Sequence, residues 1–368
     1  MDTRNTDALV IGAGMAGATT AAHLARTHRV ALLEAESAAG YHSTGRSAAI
    51  WIGNYGPPDV RLLTRASRAF FATPSDGFGP LLAARPVVTL APPGQEAALA
   101  RMIDEGDGIE PLALDELAAM VPALRPDYAR AAAIEREAFD IDVASLHQGF
   151  LRVARSNGEV ALRARAGRIW HDGPWHAEAA DGTIWRAPIL INAAGAWGDE
   201  VAVIAGVAPI GLSPKRRTAV IVDPGRFDCA GWPLLGDAAH GWYARPEARR
   251  KLMLSPADET DMAPHDVQPD EIDVAIAIDR MQQALDIPVT RVEHAWAGLR
   301  SFTPDRSLAI GAEPGVPGFF WMVGQGGYGI QTAPAAGRFL AGLVRGEPDA
   351  DLTAAIAQVD PGRFRRNR

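Results

Sequence analysis

Gly12-Ala13-Gly14-Met15-Ala16-Gly17 sets three glycines at the G-x-G-x-x-G spacing, and the chemistry this spacing serves is capture of a pyrophosphate by backbone N–H groups. Gly12 allows a tight turn, Gly14 lets the backbone come close to the phosphates, and Gly17 lets the following helix close on a sheet. The helix that opens at this loop turns its free N–H groups and positive end toward the anion. Glu34, with Ala35 behind it, presents a carboxylate that accepts from ribose hydroxyls and repels a 2′-phosphate. The elements that must position these groups are legible on either side. Ala8 to Ile11 is an apolar run that reads as a buried strand, Ala18, Ala21, Ala22 and Ala25 suit close helix-to-sheet packing, and Val30 to Leu33 reads as the second strand of a βαβ unit. Strand, helix, strand and acid in that order carry more weight than the glycine spacing alone.

A second polar, N–H-rich loop follows at once, from Ala39 to Ala49, with Ser43, Thr44, Gly45, Arg46, Ser47 and Ala48 in it. Such a loop suggests a cofactor longer than a nicotinamide dinucleotide, and FAD is the natural candidate. Here the chain resembles the D-amino-acid-oxidase-like FAD oxidoreductases, and within them the bacterial FAD-dependent D-amino acid dehydrogenases of the D-arginine type. The stretches that carry the resemblance are VIGAGMAGA, LEAESAAGYHSTGRSAA, LHQGFLR, INAAGAW, PKRR, WAGLRSFTPD and GQGGYGIQT, from residue 10 to about residue 332.

The resemblance implies an α+β fold in two parts: a Rossmann-like FAD-binding domain from 1–56, 141–205 and 295–368, and a mixed-sheet substrate domain from 57–140 and 206–294. It brings Ala194 and Gly195 to the cofactor backbone, with Ala166 and Trp197 beside them. It assigns Arg217 to the reacting site, aligns Tyr55 and Tyr243 with active-site tyrosines, and gives Gly327 a backbone carbonyl that holds the substrate amine.

The residues themselves add to this. In Lys215-Arg216-Arg217, strand alternation puts Lys215 and Arg217 on one face and Arg216 on the other. Arg300 is flanked by apolar residues, so a buried guanidinium needing an anionic partner is expected; a substrate carboxylate is one candidate and an ordinary ion pair the other. The glycine loop Gly326, Gly327, Tyr328, Gly329, Ile330 and Gln331 enters a helix whose positive end suits negative charge on the flavin N1/O2 edge. Arg306 and Ser307 are expected to brace it.

Composition narrows the function classes. The chain has 368 residues, enough for two domains, and a net charge of −8 with basic residues spread along its length, which argues against a nucleic-acid partner. The first strand begins almost at the N-terminus and no apolar run reaches membrane-spanning length, so a cytoplasmic protein without a transmembrane segment is expected. Cys229 is the single cysteine, and the histidines show no metal-ligand spacing, so no metal is expected. Cys229 lies far from the flavin motifs and His42 reads as a loop hydrogen-bonder, so FAD should be held noncovalently. The acidic run Asp258 to Asp273 reads as a solvated loop without chemistry.

The reaction expected is oxidation of a D-amino acid by hydride transfer from Cα to flavin N5, giving an imino acid and then a 2-oxo acid and ammonia. Rival readings are oxidation of an N-methyl amine or a 2-hydroxy acid, and a flavin-binding protein without turnover. The resemblance to arginine-oxidising members implies a carboxylate just after Arg85-Pro86 to hold a cationic side chain, but Val87 stands there, and Ile50, Leu234 and Gly236 are apolar or small. Such walls favour neutral, apolar substrates. Relatives that use oxygen often place a lysine near the flavin, and only Lys215 and Lys251 exist; a dehydrogenase feeding a quinone or carrier is therefore favoured over one using O2.

Overall fold

Two sheets organise the protein, one built for parallel strands and one for alternation. The computed structural model describes residues 2–75, 77–352 and 357–365. In the first sheet six strands lie in the order Gly158–Ala161, Val30–Leu33, Ala8–Ile11, Ile189–Asn192, Phe319–Val323 and Ala309–Ala312. All neighbours pair parallel except the last two, which are antiparallel. Its central strands are buried throughout, as parallel strands covered on both faces must be. Ala8 and Val10 pack with the helices Met15–Leu24, Val143–Ser156 and Gly329–Arg345, while Leu9 and Ile11 face Trp175 and Trp185 of a four-stranded sheet on the other side.

The crossing of helices Met15–Leu24 and Gly329–Arg345 is close because Gly337 has no Cβ to strike Thr19, whose hydroxyl donates to the Ala333 carbonyl (3.0 Å).

The second sheet has nine strands, including Ser213–Val222, Lys251–Ser255, Tyr243–Glu247, Leu234–Asp237, Val87–Ala91 and Ala131–Glu135. Alternation divides it into two faces. Val220, Val222, Leu254, Ala244, Leu235, Val88 and Ile134 form a core under the helix Glu271–Ala284. The register puts Arg217, Ala219, Tyr243, Gly236, Leu234, Val87 and Glu135 on the opposite face. Lys215 and Arg217 thus share a face that Arg216 does not, as the sequence predicts.

The sheets draw the boundaries differently from the sequence at two places. Residues 295–302 belong to the strand Val292–Phe302, which pairs along its length with Ser213–Val222. The helix Pro58–Ala72, expected in the substrate part, buries Val60, Leu63 and Phe71 in the core of the parallel sheet and packs on Gly329–Arg345. Its apolar stripe needed a helical partner, and that partner is supplied from the other end of the chain. Among the described residues, no helix is long and apolar enough to cross a membrane.

Candidate active site

A cavity of about 360 Å³ runs from the carboxyl ends of the parallel strands to the arginine-bearing face of the large sheet. Its glycine end is shaped by missing side chains. Gly12 has φ of +100°, and a Cβ there would stand 2.6 Å from the Ala193 carbonyl oxygen; a Cβ on Gly17 would overlap the Gly12 carbonyl oxygen. The helices Val143–Ser156 and Glu271–Ala284 are capped by Asp142 and Asp270. By contrast, the helices Met15–Leu24 and Gly329–Arg345, which open on the cavity, get no cap from their own N-cap residues Gly14 and Tyr328 and have no acid in the first turn, although Thr44 takes the Met15 N–H. Helix starts without caps of their own leave their positive ends for a ligand.

Glu34 reaches the cavity but is also a strut: its carboxylate accepts from the N–H of Ala13 (2.9 Å) and of Glu36 (3.0 Å). The second loop is pinned on both sides. Thr44 Oγ1 accepts from the Met15 N–H (2.9 Å), and Ser43 donates to the Leu299 carbonyl (2.6 Å). Arg46 donates to the carbonyls of Val267 and Ala297 (3.1 and 3.0 Å) and pairs with Asp266, while its own carbonyl accepts from Trp296 Nε1 (3.0 Å). His42 pairs with Glu36 (3.2 Å) and packs on Trp197.

Of the residues expected at the cofactor, Gly12, Gly14, Met15, Ala16, Glu34, Ala35, Ser43, Thr44, Arg46, Ser47, Ala48, Ala166, Ala194, Gly195, Trp197, Arg300, Gly326, Gly327, Gly329 and Ile330 line the cavity. Ala13, Gly17, Gly45, Tyr328 and Gln331 stand behind the wall. Ala13 holds Glu34, Gly17 seats the helix, and the Gly45 N–H closes a turn on the Gly40 carbonyl (2.8 Å). Tyr328 packs on Tyr55, and Gln331 ties the Ile52 N–H to Thr64. One supporting residue escaped the sequence reading: His147, buried, is bonded through Nε2 to the Ala13 carbonyl (2.9 Å), and burial holds its pKa below the ordinary value. Its only signal was its place in LHQGFLR.

At the arginine end, Arg217, Tyr243, Arg300 and Gly327 line the cavity, and Tyr55 joins them through its hydroxyl, which accepts from Arg300 Nη1 (3.3 Å). A Cβ on Gly327 would lie 2.7 Å from that guanidinium and 3.2 Å from the Tyr55 oxygen, so any larger residue would displace the Arg300 head. Among the described residues, Arg300 has no carboxylate within ion-pair distance, yet its guanidinium stays charged against burial, helped by the oxygens of Tyr55 and Tyr243. Burial works to raise the Tyr243 phenol, but Arg300 and then Arg217 outweigh it and bring it below its ordinary value. Tyr328 goes the other way, pushed up to about 12 by burial and then by Tyr55. Arg217 is different from Arg300: it donates to the Asp258 carbonyl (2.9 Å) and pairs with Glu259 (3.3 Å).

That pairing corrects the reading of Asp258 to Asp273 as a solvated loop. Asp258 accepts from the Thr218 N–H (2.7 Å), Asp261 pairs with Lys215 (2.6 Å), and Asp273 pairs with Arg216 (2.7 Å). The run is a counter-charge strap across the Lys215-Arg216-Arg217 strand.

The four expected side-chain-pocket residues do not line the cavity. Val87, Leu234 and Gly236 share the sheet face of Tyr243, and Ile50 pairs with Asp140 on a separate three-stranded sheet. On the cavity wall Arg217 instead has Ala219 on its own strand and Gly298 opposite it on the paired strand. Opposite Val87 stands Glu135, a buried carboxylate missed in the sequence, which accepts from the Gly53 N–H (3.0 Å) and whose pKa burial raises. Among the described residues, no group of three or more His, Cys, Asp or Glu is placed to hold a metal ion.

The family of FAD-dependent oxidoreductases named DAO matches residues 7–343. The chain belongs to the DAO family. An alignment of 182 positions, which covers 42% of this DAO-family chain, is 30% identical to FAD-dependent oxidoreductase domain-containing protein 1 of Xenopus laevis and covers 34% of it, so the match spans about a third of that relative's length. In fold the chain is similar to L-proline dehydrogenase from P. horikoshii (TM-score 0.83, 21% identity, 100% of this chain and 99% of that one). It is also similar to the FAD-bound L-alpha-glycerophosphate oxidase from Mycoplasma pneumoniae (TM-score 0.84, 16% identity, 94% and 95%). The DAO-family chain is therefore an FAD-dependent oxidoreductase with this two-part α+β fold. Its own residues fit the cofactor: two helix starts without caps of their own, a Gly12 turn that excludes any Cβ and the pinned Ser43-Thr44 loop border one continuous cavity.

Proposed function

We propose that the protein oxidises D-amino acids with neutral, apolar side chains to imino acids, which water converts to 2-oxo acids and ammonia. The observation that carries this reading is Arg300: a guanidinium on the cavity wall, bonded to a tyrosine hydroxyl and lacking a carboxylate partner among the described residues. Such a group is a ready partner for one substrate carboxylate. Tyr55 and Tyr243 complete the cradle, and the Gly327 carbonyl accepts from the substrate amine. FAD, when bound, accepts the hydride removed from Cα, and the nitrogen proton passes to water. The acids that line the cavity, Glu34, Glu36 and Glu200, lie on the strand tail and helix at the glycine end. Among the described residues, the acid beside Arg217 at the other end is Glu259, and it is already paired with Arg217 and Arg306, which supports a neutral side chain in the substrate. The D configuration rests on the order of the motifs shared with D-amino acid dehydrogenases.

Neither lysine lines the cavity; Lys215 pairs with Asp261, and Lys251 with Asp223 and Glu293. This supports a dehydrogenase passing electrons to a quinone or carrier. Cys229 is buried with its thiol donating to the Lys251 carbonyl (3.4 Å), and His42 is engaged by Glu36, which supports noncovalent FAD. Acid precipitation should leave the yellow colour in the supernatant, and colour in the pellet would refute that. A cytoplasmic location belongs to the same reading and is checked by cell fractionation.

An N-methyl amine or a 2-hydroxy acid would offer Arg300 the same carboxylate, so the deciding experiment compares substrates. Anaerobic bleaching of the flavin by D-Leu, D-Met and D-Phe, against their L-isomers, D-Arg, sarcosine and 2-hydroxy acids, should favour the neutral D-amino acids by roughly tenfold or more. Faster bleaching by D-Arg would overturn the substrate class.

A further inference from the structure

Two guanidiniums line the arginine end of the cavity, and only one of them is free to take a ligand's charge. Arg217 is held on two sides, by the Asp258 carbonyl at Nε (2.9 Å) and by Glu259 at Nη2 (3.3 Å). Glu259 is itself fixed from behind, since Arg306 Nη2 donates to both its oxygens (2.9 and 3.1 Å) and the Arg306 guanidinium rests on the Phe302 ring at 3.9 Å. Asp258 is anchored in turn by the Thr218 N–H and hydroxyl (2.7 and 3.1 Å). The pair Asp258-Glu259 is therefore fixed against Arg217, behind the guanidinium that lines the cavity, rather than a loose chain end. Arg300, by contrast, bonds the Tyr55 hydroxyl and, among the described residues, has no carboxylate at ion-pair distance.

We propose that Glu259, by occupying Arg217, restricts the site to ligands that carry a single carboxylate. This rests on the reading of Arg300 as the carboxylate partner. With Glu259 in place, a ligand's second carboxylate meets a guanidinium already neutralised and a like charge beside it, and such a repulsive element is how a site rejects a competitor that its attractive groups would otherwise accept. Burial works against ionisation of Glu259, but Arg306 and then Arg217 hold its pKa below the usual carboxylate range, so the mask is charged at neutral pH. Its side chain is 36% exposed, which lets a substitution be made without opening the core.

The test uses holoenzyme and ligands that are not oxidised: acetate against malonate and succinate, read as perturbation of the bound flavin's absorbance. The parent should bind acetate at least as tightly as either dicarboxylate. In Glu259→Gln, malonate or succinate should bind roughly tenfold tighter, with acetate changed by less than about threefold, tenfold being about 1.4 kcal/mol. Glu259→Asp, which keeps the charge, should keep the parent's order. Dicarboxylate affinity unmoved by Glu259→Gln would overturn the proposal. So would acetate tightening as much as malonate, because Arg217 would then share the single carboxylate with Arg300. If acetate binds but no amine is turned over, the oxidation reading falls and this one stands; if no carboxylate binds any variant, both fall.

Discussion

Around Gly12, Gly14 and Gly17 the cavity is shaped by side chains that are absent and by two helix starts without caps of their own, whereas around Arg217 and Arg300 it is shaped by charges, most of them already matched. The glycine end uses backbone groups whose positions follow from neighbouring residues, so its parts lie together in the chain. The arginine end joins residues 55, 217, 243, 259, 300, 306 and 327, which meet only through the fold. Backbone recognition suits a large cofactor that is always the same. Side-chain charge suits a small ligand that must be told from its analogues.

If the two ends are separate in this way, changes at each should leave the other's binding intact. The largest effect is expected from Arg300→Met, which removes the unpaired guanidinium: about 3 kcal/mol, or roughly a hundredfold in kcat/KM for a carboxylate substrate, with flavin content unchanged. Loss of flavin from that variant would break the separation. Gly17→Ala drives a methyl group against the Gly12 carbonyl and should cost about 1–3 kcal/mol of stability. It should lower the flavin-to-protein ratio, whereas KM in the flavin-bound fraction should hold. Tyr55→Phe removes one hydrogen bond to a charged group, about 1.5 kcal/mol or roughly tenfold in kcat/KM.

A separate effect concerns acid. His23, in the helix that follows the glycine loop, is held neutral with a folded pKa of about 3, by burial first and then by Arg26, Arg338 and Arg345. The unfolded chain binds this proton near pH 6.5, so the unfolded state is favoured as pH falls from about 6.5 toward 3, by at most about 1.4 kcal/mol per unit. Tm measured from pH 7.5 to 4.5 should fall less steeply in His23→Leu than in the parent. Parallel curves would remove His23 from the acid response.

The same contrast explains what could be read from the chain. Ala8 to Gly17 announces strand, turn and helix within ten residues, and the packing requirement that picks glycine at 12 and 17 is local. Alternation along Lys215-Arg216-Arg217 also told which side chains share a face, because period two needs no knowledge of the partner strand. The acid run of 258–273 misled, since an acid far in sequence from its arginine looks like any solvated acid until the strand Thr260–Asp261 docks beside Lys215 and Arg216. Glu135 was missed for a related reason. The register sets it opposite Val87, and register is a property of two strands. Val292–Phe302 looked like the return to the nucleotide fold because its motif names the site, while its hydrogen bonds go to Ser213–Val222.

The fastening of the loop from Tyr41 to Ala48 has a consequence for how the protein comes to be made. Thr44 bolts it to the glycine loop, and Ser43 and Arg46 bolt it to the large sheet, all along the rim of the cavity. A dinucleotide that crosses this rim has to wait for those bonds to open, so loading of the finished protein is expected to be slow. Reconstitution of stripped apoprotein should then saturate at the rate of unbolting. Above a modest FAD concentration the half-time should stop shortening, well below the roughly 10⁵–10⁷ M⁻¹s⁻¹ of an open site. Expression without ample flavin should yield protein that later supplementation rescues slowly.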